Sequence, residues 1–186
     1  MFVALALNRA GCEQLIKNNM NHFKLSTNSK VNVFGVKLFQ IELTIDCQWG
    51  SKGDLGGWIE KESNLQENAW VYGNAQLYGN AWVYGNAQVY GNAWVYGNAQ
   101  VYGDAWVYGN AQVYGDAWEQ TPLQIQGTKH FITECKKGYL QIGCMSFTFE
   151  YWKNNFESIG KSAKYTEKQI KEYGLYIELA INLSKI

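Results

Sequence analysis

Val71-Tyr72-Gly73-Asn74-Ala75-Gln76, followed by Leu77-Tyr78-Gly79-Asn80-Ala81-Trp82, begins a six-residue unit that runs eight times without an insertion as far as Trp118. Leu77 replaces one Val, and Asp104 and Asp116 replace two Asn. A fixed short period predicts a solenoid of stacked, near-identical turns. Within each unit Val and Ala lie four apart and suit an interior. Gly-Asn between them tolerates positive φ and turns a corner. Tyr and Trp/Gln flank the inward residues, so strand alternation points them outward. The frame extends upstream through Leu65…Ala69-Trp70 and Ile59…Ser63-Asn64, making ten hexads over 59–118.

Three hexads per coil give a three-sided prism in which residues eighteen apart stack, at about 4.8 Å per rung. The expected tyrosine columns are Tyr72, Tyr90 and Tyr108; Tyr78, Tyr96 and Tyr114; and Tyr84 with Tyr102. Trp recurs every twelve residues, so indoles and amides alternate: Trp70, Gln88, Trp106; Gln76, Trp94, Gln112; Trp82, Gln100, Trp118. Tandem duplication of a twelve-residue unit explains that alternation. Asp104 and Asp116 fall on different corners. With eight Tyr and five Trp directed outward, the apolar surface exceeds what a monomer usually shows. Tyr and Trp are also the types enriched at binding hot spots. The candidate ligand- or partner-binding residues are therefore Tyr72, Tyr84, Tyr90, Tyr96, Tyr102, Tyr108, Trp82, Trp94 and Trp106.

Sixteen Lys plus Arg balance sixteen Asp plus Glu, so no global field favours nucleic acid or an anionic membrane. The basic groupings Lys136-Lys137 and Lys161, Lys164, Lys168 and Lys171 read as solvated faces. Four cysteines, Cys12, Cys47, Cys135 and Cys144, lack metal-ligand spacing and read as buried reduced thiols, with no metal site expected. No stretch approaches the roughly 20 apolar residues of a membrane span, and Phe2–Leu7 is too short for a signal core. The expected setting is cytoplasmic. Residues 1–19 fit the rest poorly and read as a leader, with Met20 as an alternative start.

Outside the repeat, residues 20–52 read as an N-terminal β cap, with a hairpin or meander over Val31–Phe34 and Val36–Leu43. The solenoid segment is 53–122. It is entered through Gly53-Asp-Leu-Gly-Gly-Trp-Ile-Glu60, a structural turn lacking the Lys-Ser/Thr of a P-loop. Residues 123–186 read as a lid of one strand over Tyr139–Phe149, with Leu140, Ile142 and Cys144 on one side, and two helices. The first helix carries Trp152, Phe156 and Ile159; Thr166 and Gln169 make a capping box for the second. Open solenoid ends need such covers.

The hexad resembles that of left-handed β-helix proteins, the trimeric acyltransferase-like superfamily. A left-handed, three-sided parallel β-helix is what this resemblance implies, with a right-handed β-helix as the alternative. Together with the 53–60 motif and the segment from Ile159-Gly160 through Tyr173-Gly-Leu-Tyr-Ile177, residues 22–182 resemble small hexapeptide-repeat proteins of phages, prophages and some bacteria. That resemblance implies a homotrimer and carries no general activity.

Acyl transfer from acetyl-CoA would need a histidine base at a subunit interface. No histidine interrupts residues 59–118, and only His130 in the cap is a candidate. A calcium-binding β-roll fails on its period and on having Asp at only two of eight corners. Filament growth through the prism ends conflicts with the helical lid. The favoured expectation is a non-catalytic oligomeric scaffold without a cofactor, binding a small ligand such as a nucleotide signal or a host protein.

Overall fold

The computed structural model describes residues 21–115, 117–118 and 120–185. The expected leader 1–19, Met20 and the Asp116 corner lie outside them. Two compact units form: a solenoid unit reaching Asn110 and taking in Tyr114–Thr121, and a second comprising Ala111–Val113 and the chain from Pro122 onward.

The solenoid unit starts with β1 (Phe23–Val31) and β2 (Lys37–Leu43), an antiparallel pair, and β3 (Leu55–Ile59), antiparallel to β2. Strand β1 ends where the sequence reading starts its first strand; Val33, Phe34 and Gly35 form the turn instead. Asn32 closes that turn, its Oδ1 accepting from the N–H groups of Phe34 and Val36. The hexads then supply β4 (Trp70–Val71), β5 (Gln76–Leu77), β6 (Trp82–Val83), β7 (Gln88–Val89), β8 (Trp94–Tyr96), β9 (Gln100–Val101), β10 (Trp106–Val107), β11 (Gln112–Tyr114) and β12 (Ala117–Trp118). Three sheets result, ordered β1-β2-β3-β5-β8-β11, β4-β7-β10 and β6-β9-β12. Parallel pairing sets Trp70 and Trp106 on either side of Gln88, Gln76 against Trp94, and Trp82 against Gln100. The predicted eighteen-residue coil is the observed one.

Val71, Leu77, Val83, Val89, Val95, Val101, Val107 and Val113 are all fully buried, and the alanines from Ala69 to Ala111 nearly so. A β-branched residue and a small one fill each rung at the density that cores require. Between rungs, N–H groups of one coil donate to carbonyls of the next, as from Tyr72 to Val89 at 2.9 Å and from Asn74 to Gly91 at 3.0 Å. The corner glycines all have positive φ, from 59° at Gly73 to 95° at Gly115. Glu67 occupies the same corner of the preceding hexad with φ 53°, and its carboxylate accepts from the Gly85 N–H at 2.7 Å.

At the entry, Gly56 and Gly57 let β2 and the next rung approach closely. A Cβ on Gly56 would lie 2.6 Å from the Ile41 side chain, and one on Gly57 2.5 Å from that of Val71. The Gly-Gly of the 53–60 motif therefore sits inside a strand for packing. The exit departs from expectation. Trp118 pairs with Val101 rather than Gln100, and Ala117 takes Gln100. The residue due at the next aliphatic position is Glu119, unsuited to a core. A one-residue slip puts Trp118, 8% exposed, where a Val would have gone.

In the second unit the expected single strand is a four-stranded antiparallel sheet. Its strands β13 (Gln124–Gln126), β14 (Phe131–Lys136), β15 (Tyr139–Ile142) and β16 (Met145–Thr148) pair in sequence order. Helices α1 (Phe149–Ser162) and α2 (Glu167–Leu183) follow, and Thr166 with Gln169 forms the predicted capping box. Ile132, Leu140, Ile142, Trp152, Tyr173, Ile177 and Ala180 make a core belonging to this unit. The expected strand is thus divided: Gly143 and Cys144 form the turn between β15 and β16, and Cys144 is exposed, not buried as the sequence suggested. Among the described residues no helix is long and apolar enough to cross a membrane.

Candidate functional site

The outer surface of the solenoid carries two kinds of ladder. At the corners the asparagine side chains bond from coil to coil, each Nδ2 donating to the Oδ1 above. One column runs Asn68 to Asn86 at 2.8 Å and Asn86 to Asp104 at 3.1 Å. A second runs Asn74 to Asn92 to Asn110, each step 3.3 Å, and a third joins Asn80 to Asn98 at 3.2 Å. Asp104 is the last member of its column. A carboxylate only accepts, and a ladder that donates upward needs only an acceptor at its top. Asp is therefore compatible with the ladder at that place, where the neighbouring column ends in Asn110.

Beside the corners the tyrosines stack as the spacing predicts. Tyr78–Tyr96 and Tyr84–Tyr102 ring centroids lie 5.2 and 5.1 Å apart, both pairs within 7° of parallel. Tyr90–Tyr108 stacks at 5.5 Å, and the Tyr96 and Tyr114 rings lie 5.2 Å apart, tilted by 30°. Tyr72 is drawn away from its column and lies edge-on to Trp49 and Trp70.

The nine candidate residues do not converge on one site. Tyr72, Tyr90, Tyr108 and Trp106 belong to the β4-β7-β10 side, Tyr84, Tyr102 and Trp82 to the β6-β9-β12 side, and Tyr96 and Trp94 to the β5-β8 side. Nor are all the repeat aromatics exposed. Trp70 (2% exposed), Tyr78 (7%) and Trp118 are buried, while Trp82 (37%) and Trp106 (48%) remain open. Residues outside the repeat do the covering. Phe34, in the β1–β2 turn, lies 5.7 Å from Trp94 and 6.3 Å from Tyr78, and His22 lies 5.5 Å from Trp70. Burial pushes the Tyr78 phenol well above its ordinary value, and the Tyr96 ring above it adds to this. Tyr72 is pushed up to about 12, by burial first and then by Cys47.

One concave stretch was missed from sequence. Gln48, Trp49, Asn68, Asn86, Gln88, Asp104 and Trp106 line a groove of ≈ 380 Å³. Trp106 was a candidate and Trp49 was not. Trp49 precedes the repeat, and no spacing ties it to a column.

His130, the candidate base, is placed by its backbone. The Tyr173 hydroxyl accepts from the N–H groups of Lys129 and His130 and donates to the His130 carbonyl at 2.9 Å. The imidazole lies 5.8 Å from the Tyr165 ring, against the Gly143 turn. The Tyr165 phenol is pushed up to about 12, chiefly by burial and by Tyr173. These contacts describe a packed imidazole in the second unit.

Compared with known families, residues 75–89, 87–103 and 99–115 each match the YdcK β-solenoid repeat. The matched copies begin at 75, 87 and 99, hence twelve residues apart, in step with the tryptophans. No curated protein matches the chain.

Proposed function

We propose that the chain is a non-catalytic scaffold that assembles into a homotrimer through its solenoid and presents aromatic and amide ladders to a ligand or partner protein. The observation that carries this reading is the β6-β9-β12 side. There Trp82 and Gln100 are exposed, whereas on the other two sides Phe34 and His22 cover Trp94, Tyr78 and Trp70, though Trp106 stays open. A large ring with a polar edge, held on a rigid rung, loses little entropy when a partner covers it. The match to a β-solenoid repeat supports a repeat scaffold. The reading needs no cofactor. Free Cys47, Cys135 and Cys144 fit a reducing, cytoplasmic setting.

Light scattering on the purified chain tests it. A trimer is expected, and Trp82→Arg, which puts a charge on an exposed position and leaves the core untouched, should lower the association state. A clean monomer at micromolar concentration would remove the assembly claim.

A further inference from the structure

The Trp/Gln alternation leaves a notch on the β4-β7-β10 side. Gln88 is in register between Trp70 and Trp106, so the two indole rungs stand about 10 Å apart with a slimmer amide between them. Trp70 is buried beneath His22, and Trp49 borders the notch with Trp106. Both bordering indoles are braced. Trp49 Nε1 donates to the Asn68 carbonyl at 3.1 Å, and its ring meets Tyr72 edge-on. Trp106 meets Tyr90 edge-on at 6.5 Å and still leaves 48% of its surface open.

Between the indoles runs the Asn68-Asn86-Asp104 ladder, flanked by the Gln48 and Gln88 amides. The ladder uses one N–H of each asparagine and leaves the other, with spare acceptor capacity on each carbonyl and on the carboxylate. Asn68 Oδ1 is buried without a hydrogen-bond partner and is closed to a ligand, so the ladder acceptors that a ligand can reach belong to Asn86 and Asp104. Among the described residues no Lys, Arg or His lines the groove, so there an anionic ligand would meet Asp104 with no compensating charge.

Braced indoles bordering a row of planar amides and one carboxylate suit a neutral ring ligand rich in hydrogen-bonding groups. A pyranose has an apolar face of C–H groups and a rim of hydroxyls that each donate and accept. We propose that this groove binds a neutral saccharide, with one sugar face on Trp106 and hydroxyls on Asn86 and Asp104 of the ladder. The inference rests on reading the solenoid surface as a binding surface. It requires the trimer to form through another side, as the exposed Trp82 and Gln100 of the β6-β9-β12 side allow.

The test is a titration of the ¹⁵N-labelled full chain with cellotriose, maltotriose and triacetylchitotriose, following the indole N–H signals. At least one sugar should shift Trp49 and Trp106 together while leaving Trp82 unmoved. Trp106→Ala should weaken that binding about tenfold or more. Gln88→Trp keeps the grammar of the repeat, which accepts Trp or Gln at this position, and fills the notch; it should abolish binding in a folded protein. Leu175→Ser, at an exposed position of the second unit, should leave sugar binding intact. A saccharide-blind groove, shifts produced by adenosine or uridine instead, or full binding in Gln88→Trp would each overturn the proposal. If only Trp82→Arg affects association and no sugar binds, the scaffold reading survives and the saccharide site does not.

Discussion

Gly73→Ala and Gly85→Ala change the same corner of the repeat in different surroundings. Both residues have positive φ, 59° and 71°, so an alanine costs about 1 kcal/mol or slightly more for its left-handed backbone at either site. Stiffening of the unfolded chain returns roughly 0.5 kcal/mol of that. At Gly73 the nearest atom to the new Cβ would be the Gly91 carbonyl oxygen at 3.6 Å, an ordinary contact. At Gly85 the Cβ would lie 2.9 Å from the Gly103 nitrogen and 3.1 Å from its oxygen. Those are backbone atoms, and the Gly103 carbonyl is held by the Asn86 N–H at 2.8 Å, so the neighbouring coil cannot easily yield. Overpacking of that kind adds about 1–3 kcal/mol. Gly73→Ala should therefore lose about 1 kcal/mol or less, and Gly85→Ala about 1.5–4 kcal/mol. Urea unfolding followed by tryptophan fluorescence, which reports mainly on the solenoid, measures both. Equal losses, or a larger loss at Gly73, would refute the inter-coil spacing on which the argument depends.

Val95→Asp places a carboxylate at a fully buried rung centre and should prevent folding; a soluble, β-rich variant would contradict the inside/outside assignment. Tyr173→Phe deprives the Lys129 and His130 N–H groups of their acceptor and should cost about 1–3 kcal/mol, seen as faster amide exchange at those two residues. Unchanged exchange there would show that the hydroxyl does not hold the loop. His22 is buried, and desolvation lowers its pKa from 6.5 to about 4, partly offset by hydrogen bonding to the backbone of Ala69 and Glu67. The unfolded chain then binds the proton more readily, so this contribution is complete above pH 6.5, shrinks as pH falls and levels off below about 4. About 3 kcal/mol is at stake across that window, and His22→Gln should flatten the profile; equal slopes in both proteins would contradict the assignment.

The inward columns were readable because Val and Ala recur every six residues and nothing competes with them. Multiplying six by three sides places the tyrosines in columns from the repeat alone, with Tyr72 the one drawn to other rings, and Thr166 with Gln169 marks a helix start by local chemistry. What sequence could not place is what acts across the chain. Phe34, Trp49 and His22 lie outside the frame, and only tertiary contact shows that they cover or border repeat aromatics. Counting outward-facing rings therefore overstated the exposed surface. The slip at Trp118 had a visible cue in Glu119 at the next core position, but the change of register needed the neighbouring strand. Strand β13 was missed because Gln-Ile-Gln carries little apolar pattern over three residues; Cys144 was misplaced because Gly143 breaks the alternation on which its burial was inferred.

The central claim is that the solenoid's outer aromatics exist for contact, first with other copies of the chain. Native mass spectrometry of protein purified from cells, without refolding, tests this most directly because it reports subunit number and retained small molecules together. Three copies per particle are predicted, with any additional mass retained by wild type and lost in Gln88→Trp. A bare monomer, unchanged by Trp82→Arg, would contradict it.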